Sequence, residues 1–222
     1  PALDQMARLH LDVAVRRSGE PGRTIAGGVP AVSGADLDAA DLDAARTGSE
    51  LLALAEVVCR QAQLIDPDYA PLYNTWGLID VRQGDIVGAL AKFEHASELD
   101  PTMFEATMNF GELTLGFRGY EDALAAFTRA TEIDGTSYDA WIGLGAAHRG
   151  LGRTTDAEAA YERARGLDAS RPDAYFNLGL LHQDFGDDTD ATLGRATGYY
   201  EEFVARASGD PEYAEILEAV TP

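Results

Sequence analysis

Four histidines, His10, His95, His148 and His182, one cysteine, Cys59, and the acidic run Asp184, Asp187, Asp188 and Asp190 are the side chains here that could do chemistry. Imidazoles serve as general acids, bases or metal ligands, and several carboxylates from one short loop suit a hard cation such as calcium. The acidic run lacks the closing bidentate glutamate of a twelve-residue calcium loop and is expected to be a solvated insert, not a metal site. A lone cysteine closes no intramolecular disulfide and leaves no cysteine pair for zinc. No Gly-x-Ser-x-Gly, no Ser-x-x-Lys and no phosphate-cradling glycine loop after a strand occurs. Carboxylates are plentiful, but nothing marks the enclosed setting that acid–base catalysis needs. The chain is expected to be non-enzymatic, with no cofactor and no metal.

Over 222 residues, 38 Asp and Glu face 17 Lys and Arg, a formal net charge of -21. That balance argues against nucleic acid, whose affinity rests on Lys and Arg neutralising phosphates, and against an anionic membrane surface. No run of eighteen apolar residues is present to span a bilayer. The chain begins at Pro1 without a signal-like apolar core, so a leader or lipid anchor upstream and the compartment both stay open. The oligomeric state is likewise open.

Any chemistry must be positioned by the elements around it, and those repeat. Gly77, Gly111, Gly145 and Gly179 are 34 residues apart, as are Ala89, Ala123, Ala157 and Ala191. Phe93, Phe127 and Tyr161 keep the same step, followed by Ala96, Ala130 and Ala164, with Pro67 and Pro101 closing their units. A fixed period of this length is the mark of a stacked repeat.

"WIGLGAAH" followed by "AEAAYERA" resembles the tetratricopeptide repeat, with Trp, then Leu-Gly, then an aromatic, then Ala and Phe, then Pro. The register covers about residues 68 to 193. The resemblance implies an all-α, right-handed superhelical solenoid of antiparallel helix pairs, about four to five repeats and a C-terminal capping helix. Physically, the glycine and alanine columns let paired backbones approach, and Trp141, Leu144, Phe127 and Tyr161 fill the space beside them. Gly84 and Gly152 fall between paired helices, where a left-handed residue ends the first. His10, His148 and His182 stand in the family's tyrosine column, a packing position, and His95 beside Glu94 and Glu98 is expected to be solvated.

Regular repeats are expected at 68–101, 102–135 and 136–169 in a single domain spanning 1–222. The N-terminal repeat is split into 1–17 and 49–67 by an inserted loop at 18–48, in which "ADLDAADLDAA", capped by Ser33 or Asp36, is balanced between a short acidic helix and a loop. In the irregular last repeat, 170–208, Arg195 and Gly198 fill the aromatic and alanine columns, so its second helix is expected to be displaced toward "ATGYYEEFVARAS". Residues 210–220 are expected to form the capping helix that solenoid ends require, with Pro211 in its first turn.

In such a stack the first helices line a concave face, the usual binding surface. The helical period puts Asn74, Met108, Ile142 and Phe176 in one ladder; Thr75, Asn109, Gly143 and Asn177 in the next; then Leu78, Glu112, Ala146 and Leu180, with Leu115, Arg82, Arg149 and Gln183 further along. The resemblance implies that well-known grooves of this family clamp a peptide's C-terminal carboxylate with Lys, Asn and Arg. Asn109 matches the asparagine, but Asn74, Asp139 and Gly143 fill the basic positions, so no carboxylate clamp is expected. The expected partner is a peptide or helix of another protein, held by apolar anchors with amides flanking them. The alternative is a structural subunit assembling through its terminal faces. Acidic, Arg- and Ala-rich repeats with an extended last unit resemble cell-envelope lipoproteins of bacterial gliding and type IV pilus machines, which leans the expected localisation toward the bacterial envelope.

Overall fold

The computed structural model describes residues 2–8, 39–186 and 189–220. Among them are eleven α-helices, one short 3-10 turn and no strand. The chain divides into two units, Pro1–Phe117 and Arg118–Pro222. The first holds α1 (residues 2–8), α2 (Ala39–Ile65), α3 (Ala70–Gln83), α4 (Ile86–Leu99) and α5 (Phe104–Gly116). The second holds α6 (Tyr120–Ile133), α7 (Tyr138–Gly150), α8 (Thr154–Leu167), α9 (Asp173–Phe185), α10 (Asp190–Ala207), a 3-10 turn at Pro211–Tyr213 and α11 (Ala214–Val220). Within each unit, from α2 onward, helices next in sequence pack on one another, α3 on α4, α7 on α8 and α9 on α10 most extensively.

The glycine column is what lets the pairs close. A Cβ added at Gly77 would lie 2.6 Å from the Phe93 ring, one at Gly145 would run into Tyr161, and one at Gly179 would lie 2.7 Å from Tyr200. Each ring therefore occupies the volume a side chain would have taken. The first core uses another pairing. Ala7 and Cys59, both fully buried, share it with Ala55, Leu72, Trp76 and Ile79, so α1 with a larger small residue accompanies α2 with a smaller partner in the aromatic column. Burial, reinforced by Asp4 and Asp80, pushes the Cys59 thiol up to about 12 and leaves it unreactive.

Side-chain caps and turns repeat as well. Gly84 and Gly152 adopt φ of 80° and 70°, and Arg118, midway between them at the same spacing, takes φ of 62°. After α4, α6 and α8, the carboxylates of Asp100, Asp134 and Asp168 each accept the backbone N–H and the hydroxyl of Thr102, Thr136 and Ser170 at 2.6–2.9 Å. The next turn is pinned from the other side. Tyr73 Oη, Trp141 Nε1 and Tyr175 Oη donate to the carbonyls of Pro67, Gly135 and Ala169, each six residues back, at 2.7, 3.0 and 3.1 Å.

Two stretches depart from the regular repeat. The insertion expected at 18–48 is already helical from residue 39, because α2 runs unbroken for 27 residues to Ile65. Ala, Leu, Arg and Glu carry it through Gly48, whose cost of about 1 kcal/mol they offset. His10, Ser33 and Asp36 lie outside the described residues. In α10 the 34-residue step fails: it leads from Ala157 and Tyr161 to Ala191 and Arg195, yet both of these are exposed. Ala196 is buried and Tyr200 meets Gly179, five residues further on. Phe203 and Ala207 then join Tyr175 in a core flanked by Tyr213, Ile216 and Leu217.

Candidate protein-binding face

The first helices α3, α5, α7 and α9 carry the residues the period assigns to a binding face. In the first unit much of that face is already occupied. Thr75 is 1% exposed: its hydroxyl lies 2.7 Å from Asp4 Oδ1, and Arg8 Nε donates to it at 3.0 Å. Asn74, 5% exposed, accepts from Asn109 Nδ2 at 2.8 Å, so these two amides serve each other. Met108 is 7% exposed. Thr75, Asn74 and Met108, all expected on the binding face, are thus buried, since a helical period identifies a face but not what the fold lays over it. Leu78 is half-buried between two cores, Glu112 and Leu115 are half-buried, and Arg82 is exposed.

The same unit holds a buried charge pair. Lys92 Nζ on α4 lies 3.2 Å from Asp80 Oδ2 on α3, with Asp80 only 4% exposed, and 4.5 Å above the Trp76 ring. Burial raises the Asp80 carboxyl, while the Lys92 charge and hydrogen bond lower it. Asp80 stands in the column that holds Thr114 in the same unit and His148 and His182 in the second.

In the second unit the face is more open. Ile142 is half-buried between two cores, and Gly143 is fully committed to the Phe127 ring. Phe176 packs on Phe203 with ring centroids 5.1 Å apart. Asn177 Nδ2 donates to the Asp173 carbonyl of its own helix, and Gln183 Oε1 accepts from Tyr200 at 2.6 Å. Leu180 is half-buried. At the carboxyl end of α7, Arg149 pairs with Asp184 at 3.4 Å; at the amino end of α7, Arg171 pairs with Asp139 at 2.7 Å and stacks on Tyr138 at 3.9 Å.

The histidines sit in packing surroundings. His148 is half-buried with Asp156 at 4.0 Å, and burial, with the nearby Arg153, holds it below its ordinary value against the pull of Asp156. His182 lies 3.6 Å from Glu158 and stacks on Tyr199. His95 is half-buried, edge-on to Tyr73 at 4.5 Å and 3.3 Å from Glu98. Asp187 and Asp188 lie outside the described residues, and among the described ones no three His, Cys, Asp or Glu are grouped to hold a metal ion. No helix among the described residues is long and apolar enough to cross a membrane.

Residues 110–172 and 143–211 match the family model for the tetratricopeptide repeat. No curated protein matches the chain. Among solved structures, a MamA chain beginning at residue 41, from Desulfovibrio magneticus RS-1, aligns with TM-score 0.66 at 15% identity, over 93% of this chain and 97% of that one. YrrB, described as a TPR protein with an unusual peptide-binding site, aligns with TM-score 0.64 at 17% identity, over 82% and 91%. A thermophilic TPR protein of Thermus thermophilus aligns with TM-score 0.59 at 18% identity, over 79% and 95%. At these identities the structures speak for the fold, and the family model speaks for the repeats. Residues 110–211 thus carry tetratricopeptide repeats, and the fold of the chain is that of solved TPR proteins.

Proposed function

We propose that this chain is a non-enzymatic scaffold that holds a peptide or helix of a partner protein on the exposed face of its first helices. The repeat family and the likeness to YrrB, itself described by a peptide-binding site, support the scaffold reading. The single observation that carries the finer reading is that Leu115 on α5 and Leu180 on α9 are apolar side chains left only half-buried on the first helices. Apolar anchors of this kind are what a peptide or amphipathic helix engages in a groove. Glu112 and Arg82 accompany Leu115 in the first unit, and the Arg149–Asp184 pair accompanies Leu180 in the second.

Photo-crosslinking tests this reading. A benzophenone side chain at position 115 or 180 should trap one discrete partner in extracts of the source cell, and the same group at exposed Glu132 on α6 should not. Leu180→Asp should abolish the crosslink from a benzophenone placed at exposed Gln183 on the same helix α9, with helicity unchanged. Indistinguishable crosslinking from the positions of Leu115, Leu180 and Glu132 would remove the first helices from the function.

A second reading, assembly through a terminal face, draws on α2, where Leu54, Val57, Leu64 and Ile65 are 46–86% exposed. A dimer by light scattering that survives Leu180→Asp and is lost in Leu64→Lys would favour it.

A further inference from the structure

The displaced register of α10 creates a feature on the second helices, away from the face just described. Arg195 stands where the 34-residue step would bury an aromatic ring, but the five-residue displacement leaves it exposed on the first turns of α10. There it meets Arg165 from α8 and Arg206 from further along α10 around a recess of about 420 Å³, lined also by Tyr175, Gly198, Tyr199 and Glu202. Three of the nine arginines in residues 118–222 thus converge in a segment with twenty Asp and Glu.

Two of the three guanidiniums are held in place. Arg206 lies 3.9 Å over the Tyr175 ring, donates through Nε to the Ala169 carbonyl at 2.7 Å and pairs with Glu202. Arg165 lies 5.9 Å over the same ring and pairs with Glu162 at 2.5 Å, while Tyr199 Oη donates to the other oxygen of Glu162 at 3.0 Å. Two carboxylates therefore offset two of the charges and fix their orientation, leaving one positive charge in excess. A guanidinium has five N–H donors. In these contacts Arg206 keeps its Nη2 and Arg165 its Nη1. Arg195, exposed, makes no ion pair or side-chain hydrogen bond to a described residue. Gly198 forms an open wall: a Cβ there would meet nothing within 4 Å.

We propose that this recess binds an oxyanion, a phosphoryl or carboxylate group carried on a side chain of a peptide partner. The fork of Arg195 matches such a group in geometry and charge, and the remaining donors of Arg165 and Arg206, both over one buried ring, are already oriented before the ligand arrives. The recess admits a side-chain head group and the adjoining backbone, and the acidic remainder of the chain disfavours anions elsewhere on the surface.

Calorimetry on the whole chain at low salt tests it with four probes: a blocked hexapeptide carrying one phosphoserine, its unphosphorylated parent, the same peptide with glutamate, and inorganic phosphate. The phosphoserine or the glutamate peptide should bind and the parent should not, the stronger of the two identifying the source of the oxyanion. Arg195→Gln should weaken that binding at least tenfold. Gly198→Leu, which leaves the charge unchanged and should not lower the melting temperature, should do the same by filling the recess. Absence of binding by both acidic peptides, equal binding by the variants, or inorganic phosphate binding as tightly as the peptides would each overturn the assignment. The Leu180→Asp variant should retain this binding, so its outcome is independent of the first-helix reading.

Discussion

Gly145 on α7 lies so close to the ring of Tyr161 on α8 that a methyl group at Gly145 would collide with it, and Tyr161 is fully buried with no room to retreat. Alanine would improve helix propensity by about 1 kcal/mol. Overpacking costs about 1–3 kcal/mol and wins. Gly145→Ala should therefore lower stability in urea denaturation. The first repeat already pairs alanine with cysteine, at Ala7 and Cys59, so Gly145→Ala with Tyr161→Cys should cost less than the sum of the single changes. Strict additivity would mean that the two columns do not interact.

Arg118 occupies a left-handed backbone position that glycine fills at Gly84 and Gly152. A side chain there costs about 1–2 kcal/mol, partly offset by the extra freedom glycine has in the unfolded chain. Arg118→Gly should raise the melting temperature, gaining about 0.5–1 kcal/mol, whereas Gly152→Ala should lower it. Calorimetric scans showing the opposite order would place the strain elsewhere.

Lys92→Met removes the positive charge paired with a buried carboxylate. It should cost about 3 kcal/mol at neutral pH, because Asp80 is left uncompensated. The deficit should shrink on acidification. Asp80 in the fold already titrates above its ordinary value because of burial. Loss of Lys92 raises it further, so the folded state binds the proton more readily than the unfolded one and the penalty fades as pH falls through the folded value. Asp80→Leu with Lys92→Met should recover most of the loss, and a deficit independent of pH would show that lost packing on Trp76 dominates instead.

His148 is held below its ordinary value by burial. A histidine kept neutral by the fold contributes stability that is present above the unfolded value of about 6.5 and is lost as pH falls through it toward the folded value. Between pH 8 and 5 the wild type should therefore lose more stability than His148→Gln. Parallel urea midpoints for the two proteins across that window would rule this out.

How much was legible beforehand depends on whether a feature is local. The glycine column and the left-handed glycines at 84 and 152 were visible because each is dictated by contacts within one helix pair or turn. The Asp100, Asp134 and Asp168 turns recur at the same step and are legible for the same reason. Arg118 went unnoticed because its residue type conceals the glycine-like backbone it adopts.

By itself the amino-acid order determined that paired helices would recur every 34 residues and which small residues would meet which rings, since close approach demands those types wherever the pairs cross. Tertiary structure alone decided what covers each face. It seated Asp4 on Thr75, joined Asn74 to Asn109, and selected Tyr200 over Arg195 as the ring against Gly179. The reason is that periodicity assigns a side chain to one side of a helix, whereas burial depends on a segment that arrives from elsewhere in the chain and on the register in which it packs.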